Sequence, residues 1–103
     1  MSHIVRFTPE ALYQLDELES HIAGEGSPLA AARYADAIVA HCEKLQSFPQ
    51  RGTCRDDIRP GLRTLGFRRR ATIAFEVTDT AVNIIGIFYG GQNCEEALRD
   101  TTA

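Results

Sequence analysis

Two stretches in the first half of the chain repeat apolar residues at the spacing of an α-helix. The first follows Thr8-Pro9-Glu10, which offers an N-cap hydroxyl, a proline at the first helical position and an acid in the first turn. It ends at Gly24-Glu25-Gly26. The apolar positions fall within a stripe about 120° wide, which predicts an amphipathic helix with one buried face. They are Ala11, Leu12, Leu15, Leu18 and Ile22.

The second stretch begins at Ser27-Pro28 and ends at Phe48-Pro49. Its apolar stripe is Ala31, Tyr34, Ala35, Ile38, Cys42 and Leu45. Because so few residues separate the two helices, they are predicted to form an antiparallel αα-hairpin. The far side of the second helix carries small residues, Ala30, Ala37 and Ala40, beside Arg33 and Lys44. This side is either a solvated face of high helix propensity or a shallow face along which a partner helix lies.

At the start of the chain and in its second half, apolar and polar residues alternate with the period of two that is typical of β-strands. Strands are predicted at 3–7, 62–65, 70–77 and 82–89, with turns at 66–68 and 78–81. The last strand is apolar on both faces, as expected of a central strand covered on both sides. A turn of helix is predicted at 94–99, after Gly90-Gly91.

The order β-α-α-β-β-β predicts a single α+β domain over residues 1–103, with an antiparallel β-sheet packed against an N-terminal αα-hairpin. No apolar run approaches the roughly 20 residues that span a membrane, and no export signal precedes the first strand. Cys42, Cys54 and Cys94 are odd in number and far apart, which argues against disulfides and zinc. We therefore expect a cytoplasmic protein.

Positive charge is concentrated in residues 51–70, which hold seven of the eleven basic residues, all arginine, whereas the whole chain has a net charge of −3. Arginine presents a planar fork of donors that suits carboxylates and phosphates. The block therefore predicts an anionic partner, either a nucleic acid or an acidic peptide. The alternative is that Arg55 and Arg59 pair locally with Asp56, Asp57 or other carboxylates of the chain.

Few residues have the spacing of a catalytic or metal site. His3, His21 and His41 are not at ligand spacing from one another or from a cysteine, and neither a metal nor a cofactor is predicted. A metal-independent ribonuclease needs basic side chains around the phosphorane and a group that moves protons. Arg63 and Arg70 with Tyr89 are the candidates, but no lysine, histidine or glutamate lies between Arg51 and Arg70 to act as base.

Several motifs in this order resemble the RelE/ParE toxin superfamily, and the longer ones are similar to its ParE branch, the plasmid-stabilisation toxins. They are Ser27-Pro28, Phe48-Pro49-x-Arg51-Gly52, Arg55-Asp56-Asp57-Ile58-Arg59-Pro60-Gly61-Leu62-Arg63 and Ile87-Phe88-Tyr89-Gly90-Gly91-Gln92-Asn93. The resemblance implies a type II toxin that inhibits DNA gyrase and is neutralised by a ParD-like antitoxin. In such modules DNA is bound by the ribbon-helix-helix antitoxin, so sequence-specific DNA binding by this chain alone is not expected.

The small face of the second helix and the arginine block indicate where such an antitoxin tail would bind, because a tail that folds on binding needs apolar area and complementary charge. Its helix is expected along the small face of the second helix, at Ala30, Arg33, Ala37 and Ala40. Its acidic residues are expected at Arg55, Arg59, Arg63, Arg68, Arg69 and Arg70. Two alternatives remain open. One is a ribosome-dependent endoribonuclease of RelE type, although the lysines typical of RelE are missing; the other is an inactive module that only binds antitoxin.

Overall fold

The computed structural model describes residues 3–68 and 70–89, in which a helical hairpin covers one face of a five-stranded sheet. The elements are β1 (Ile4–Phe7), α1 (Pro9–Gly24), α2 (Pro28–Glu43), a 3₁₀ turn (Lys44–Gln46), β2 (Thr53–Cys54), β3 (Leu62–Phe67), β4 (Ala71–Val77) and β5 (Ala81–Tyr89). The predicted α+β class and element order are confirmed. The two-residue β2 was not predicted, because it is too short to show a period.

Both helices begin where the sequence predicts. The side chains of Thr8 and Ser27 each accept a hydrogen bond from a backbone N–H of the first turn, at 3.1 Å in both cases. These bonds satisfy donors that have no partner within the helix. The end of α2 was predicted too late: the α-helix ends at Glu43, and the tighter 3₁₀ turn that follows keeps Leu45 fully buried.

The sheet has the strand order β1-β5-β4-β3-β2. Strands β3, β4 and β5 pair antiparallel, as predicted, and the unpredicted β2 pairs antiparallel with β3. Strand β1 was also predicted to be antiparallel, but it pairs with β5 in parallel, with Ile4 opposite Ala81. Side chains alternate between the two faces of a sheet in parallel and antiparallel strands alike, so the pattern of residues 3–7 does not indicate the direction in which β1 pairs.

The main core lies between the sheet and the helical hairpin. It includes Leu15 and Ile38 from the helices and Phe75 and Ile84 from the sheet. Leu12 was predicted to face this core but is 48% exposed, because it lies at the edge of the apolar stripe of α1. A smaller cluster covers the opposite face of the sheet and consists of Ile58, Leu62, Ala74 and Phe88. The prediction that β5 is covered on both faces is therefore confirmed.

The turn between β3 and β4 differs from the prediction of 66–68. Strand β3 continues through Gly66 to Phe67, which pairs with Ala71 and packs its ring edge-on against Tyr34, with centroids 5.4 Å apart. The backbone N–H of Arg70 donates to the Phe67 carbonyl at 3.1 Å and closes the turn. Burial of Phe67 outweighs the local preference of glycine for a turn. The predicted helix at 94–99 and the glycines Gly90-Gly91, at which the last strand was predicted to end, lie outside the described residues.

Candidate partner-binding site

The arginine-rich segment divides into three places, two of which use their arginines within the fold. The first is the loop 55–61, which lies on the face of the sheet opposite the helices, because Ile58 inserts into the smaller apolar cluster. Arg55 donates from Nε and Nη2 to both carboxylate oxygens of Asp57, each at 3.0 Å. Arg59 Nη2 lies 3.4 Å from the Glu76 carboxylate. Here the structure has the local pairing that the sequence offered as the alternative.

The second place is Arg63 on β3. Its Nη1 donates to the backbone carbonyl oxygens of Gln50 at 3.0 Å and Arg51 at 3.4 Å. These bonds attach the loop that follows the 3₁₀ turn to the sheet. Arg63 therefore bonds backbone acceptors of its own chain rather than presenting its fork to a partner.

The third place is the β3–β4 turn, where Arg68 and Arg70 meet aromatic rings. Arg68 Cζ lies 5.0 Å from the centroid of the Phe67 ring and 5.9 Å from that of Tyr34, both within the range of cation–π attraction. Arg70 Nη1 donates to the Tyr89 hydroxyl at 3.2 Å. The Tyr34 and Tyr89 ring centroids are 6.1 Å apart. We name these residues the aromatic–arginine cluster: Tyr34, Phe67, Arg68, Arg70 and Tyr89.

Two histidines from the helices border the aromatic–arginine cluster. The His21 ring packs edge-on against Tyr89 with centroids 5.5 Å apart, and the His41 ring lies 5.1 Å from Phe67. The sequence showed only that neither histidine has ligand spacing, and it did not place either one beside Tyr89 or Phe67. No sequence signal connects positions so far apart in the chain.

The small face of α2 lies next to this cluster. Ala30, Arg33 and Ala40 are exposed, and Ala37 is half-buried. Ala37 is a helical neighbour of both Tyr34 and His41, which contact Phe67. The structure thus brings the predicted helical face together with Arg68 and Arg70, and places the 55–61 loop on the other side of the sheet. Arg69, also a predicted contact, lies outside the described residues.

Burial shifts the titration of two groups in this region. Burial raises the pKa of Tyr34, and Tyr89 adds to that shift, whereas the charges of Arg70 and Arg68 oppose it. Burial lowers the pKa of His41, and the nearby charges of Arg51 and Lys44 lower it further. Both side chains are therefore neutral at pH 7. Among the described residues, the Tyr34 hydroxyl and His41 Nε2 are buried atoms without a hydrogen-bond partner.

Comparison with known proteins agrees with this architecture. Residues 5–94 match the family model for the ParE toxin of the type II toxin–antitoxin system parDE. The chain belongs to the ParE toxin family. A solved chain from the chromosomal ParDE TA system of P. aeruginosa is similar, with a TM-score of 0.75, 26% identity and coverage of 86% of this chain and 97% of that chain. None of the curated proteins matches the sequence.

The residues named for the alternative ribonuclease are only partly assembled in this ParE-family chain. Arg70 and Tyr89 are hydrogen-bonded, but Arg63 lies elsewhere. Arg63 on β3 pairs with Phe75 on β4, and Tyr89 on β5 pairs with Ala71 on β4. Four residues of strand separate these positions by roughly 13 Å. The structure therefore brings two of the three predicted residues together and adds His21.

Burial raises the pKa of the Cys42 thiol to about 12, so this cysteine is a packing residue and not a nucleophile. Across 3–68 and 70–89, no group of three metal-ligating side chains comes together. In the same ranges, no helix has both the length and the apolar character that crossing a membrane requires.

The lowered pKa of His41 predicts how stability depends on pH. The unfolded chain takes up this proton near pH 6.5, whereas the folded protein takes it up only at lower pH, so the stability contributed by neutral His41 is lost as pH falls below 6.5. We expect the wild-type free energy of unfolding to decrease from pH 7.5 to 5.5 more steeply than that of His41→Phe, which retains a ring against Phe67. Urea denaturation at the two pH values measures both slopes, and equal slopes would contradict the assignment.

Proposed function

We propose that this chain is the toxin of a ParD/ParE-type module, that it inhibits DNA gyrase and thereby replication, and that a cognate ParD-like antitoxin neutralises it. The observation that supports this most directly is the family match over residues 5–94. The structural similarity to a chain of a ParDE system supports the same conclusion. Gyrase inhibition is the activity that the resemblance to the ParE branch implies.

The proposed antitoxin surface combines the small face of α2 with the aromatic–arginine cluster. An antitoxin tail that folds on binding loses conformational entropy, so it needs apolar area and complementary charge to offset that loss. Ala30, Ala37 and Ala40 allow a helix to approach closely, and Arg68 and Arg70 offer charge to acidic side chains. Arg55, Arg59 and Arg63 already have partners within the chain, so we assign the main electrostatic contacts to the β3–β4 turn.

A supercoiling assay tests the proposed activity. Purified protein is titrated into DNA gyrase with relaxed plasmid, with and without its cognate antitoxin. We expect supercoiling to be inhibited, cleaved DNA to accumulate, and the antitoxin to reverse both effects. Tyr89→Phe should inhibit as well as the wild type, because an interaction poison does not need a proton donor at this position. Loss of inhibition in a folded Tyr89→Phe protein would contradict this.

A second candidate function is a metal-independent endoribonuclease that acts on ribosome-bound mRNA. The observation that favours it is the proximity of His21 and Arg70 to the Tyr89 hydroxyl group and ring, since a histidine supplies the base that the sequence pattern lacked. Arg70 would stabilise the charge of the phosphorane. This function predicts mRNA cleavage on translating ribosomes that falls by at least about 100-fold in Tyr89→Phe and in His21→Ala.

The two candidate functions and the inactive module predict different results in the gyrase, mRNA-cleavage and antitoxin-binding assays. Gyrase inhibition without mRNA cleavage supports the proposal. Cleavage that depends on Tyr89 and His21, without gyrase inhibition, supports the ribonuclease. A protein that binds antitoxin yet neither slows growth nor acts in either assay is an antitoxin-binding module alone.

A further inference from the structure

Two buried polar atoms on α2 have no partner among the described residues, and both lie beside the turn that joins β3 to β4. They are the Tyr34 hydroxyl and His41 Nε2. A buried donor or acceptor without a hydrogen bond costs stability, commonly about 1–3 kcal/mol. A bound partner that supplies the missing hydrogen bond is one explanation of such a cost.

The surroundings of Tyr34 define the chemistry of that partner. Its raised pKa keeps the hydroxyl protonated, so it is available as a donor. Arg68 and Arg70 are close enough to affect its titration, and Arg68 lies over its ring. A phenolic donor with two guanidinium groups nearby matches the chemistry of a carboxylate, which accepts hydrogen bonds from donors of both kinds.

The backbone of Arg68 is a further sign that this turn is retained for binding. Its φ is +48°, in the left-handed region, and it is the single non-glycine residue with positive φ in the described part of the chain. An L-residue in this conformation costs about 1 kcal/mol or more relative to glycine. Glycine would fit this backbone conformation better than arginine. Only an arginine, however, places a guanidinium group over the Tyr34 ring.

We propose that Tyr34, Arg68 and Arg70 form a receptor for one side-chain carboxylate of the antitoxin tail, and that this receptor determines which antitoxin is accepted. The inference rests on the proposed function and specifies its partner's chemistry. His41 Nε2 provides a second polar contact further along the same face of α2. An antitoxin without the carboxylate leaves the Tyr34 hydroxyl buried and unpaired, and a site built for a hydrogen bond rejects such a partner strongly.

Tyr34→Phe tests the receptor, because it removes the hydroxyl and keeps the ring against Phe67. The hydroxyl has no hydrogen-bond partner among residues 3–68 and 70–89, so the melting temperature of Tyr34→Phe should equal or exceed that of the wild type. Affinity for the full-length cognate antitoxin, measured by isothermal titration calorimetry, should fall about tenfold or more. Tyr13→Phe is the matched control, since Tyr13 is 63% exposed on α1, and its affinity should stay within about twofold of wild type.

Arg68→Gly is the second variant. We expect its melting temperature to be unchanged or raised by relief of the backbone strain, and its antitoxin affinity to fall by about tenfold or more. Antitoxin affinities of both variants within twofold of the wild type would overturn the carboxylate receptor and leave the proposed function intact. The same would follow if the variants lost gyrase inhibition but kept antitoxin affinity. A wild-type protein that does not bind its cognate antitoxin would overturn both the receptor and the proposed neutralisation.

Discussion

Replacing Arg68 and Arg70 together with glutamate is expected to weaken binding of the cognate antitoxin by about 100-fold or more, which corresponds to roughly 2.7 kcal/mol. Each reversal removes an attractive charge from the β3–β4 turn and introduces a repulsive one toward an acidic tail. Both residues are exposed, and neither forms an ion pair with another described residue, so the fold should tolerate the change. Calorimetric titration with the full-length antitoxin measures the effect.

Arg6→Glu is the control for this experiment. Arg6 is exposed on β1, at the edge of the sheet far from β3, so its reversal tests the effect of net charge without changing the proposed site. Its antitoxin affinity should change by no more than about threefold. Equal losses per reversed charge in the two proteins would show that affinity follows overall charge. An unchanged affinity in a folded double variant would exclude the β3–β4 turn as the antitoxin site.

Gly52→Ala is expected to lower the free energy of unfolding by about 3 kcal/mol or more. Gly52 has a φ of +83°, and a Cβ atom added there would clash with the backbone carbonyl oxygen of Thr64. The loop that contains Gly52 cannot move away from β3 cheaply, because Arg63 on β3 holds this loop through the carbonyl oxygens of Gln50 and Arg51. Guanidinium chloride denaturation measures the change.

Gly61→Ala separates the two expected causes of that loss, which are the positive φ and the clash of the added Cβ atom with Thr64. Gly61 has nearly the same φ, +80°, but an added Cβ would meet nothing within 4 Å. Its replacement should therefore cost only the backbone term, about 1–2 kcal/mol. If both variants lose the same stability, the close approach of Gly52 to Thr64 contributes nothing.

Local patterns predicted the helices of this protein well, because their determinants lie within a few residues of one another. Thr8 and Ser27 cap their own first turns, and the apolar stripe of α2 is set by the helical period. The α+β class follows from the order of such elements. The direction of β1 and the extension of β3 to Phe67 depend on distant packing, which the local pattern does not contain.

The candidate site was harder to predict because charge density along a sequence is not charge density on a surface. The arginines of residues 51–70 are neighbours in the chain, yet Arg59 lies behind the sheet, Arg63 supports a loop, and Arg68 faces α2. The importance of Tyr34 was hidden for a similar reason. Its position in the apolar stripe explains its ring, but only the folded structure shows that its hydroxyl lacks a hydrogen-bond partner in the described part of the chain.

The parallel pairing of β1 with β5 has a consequence for folding. The two strands are almost at opposite ends of the described chain, and His3 bonds the Thr78 carbonyl oxygen across 75 residues of sequence. Closing so large a loop costs entropy before any contact forms, so such pairings are slow. During synthesis, the helical hairpin leaves the ribosome well before the strands that cover its apolar face. The surface that joins α2 to the β3–β4 turn therefore exists only after nearly the whole domain has been made.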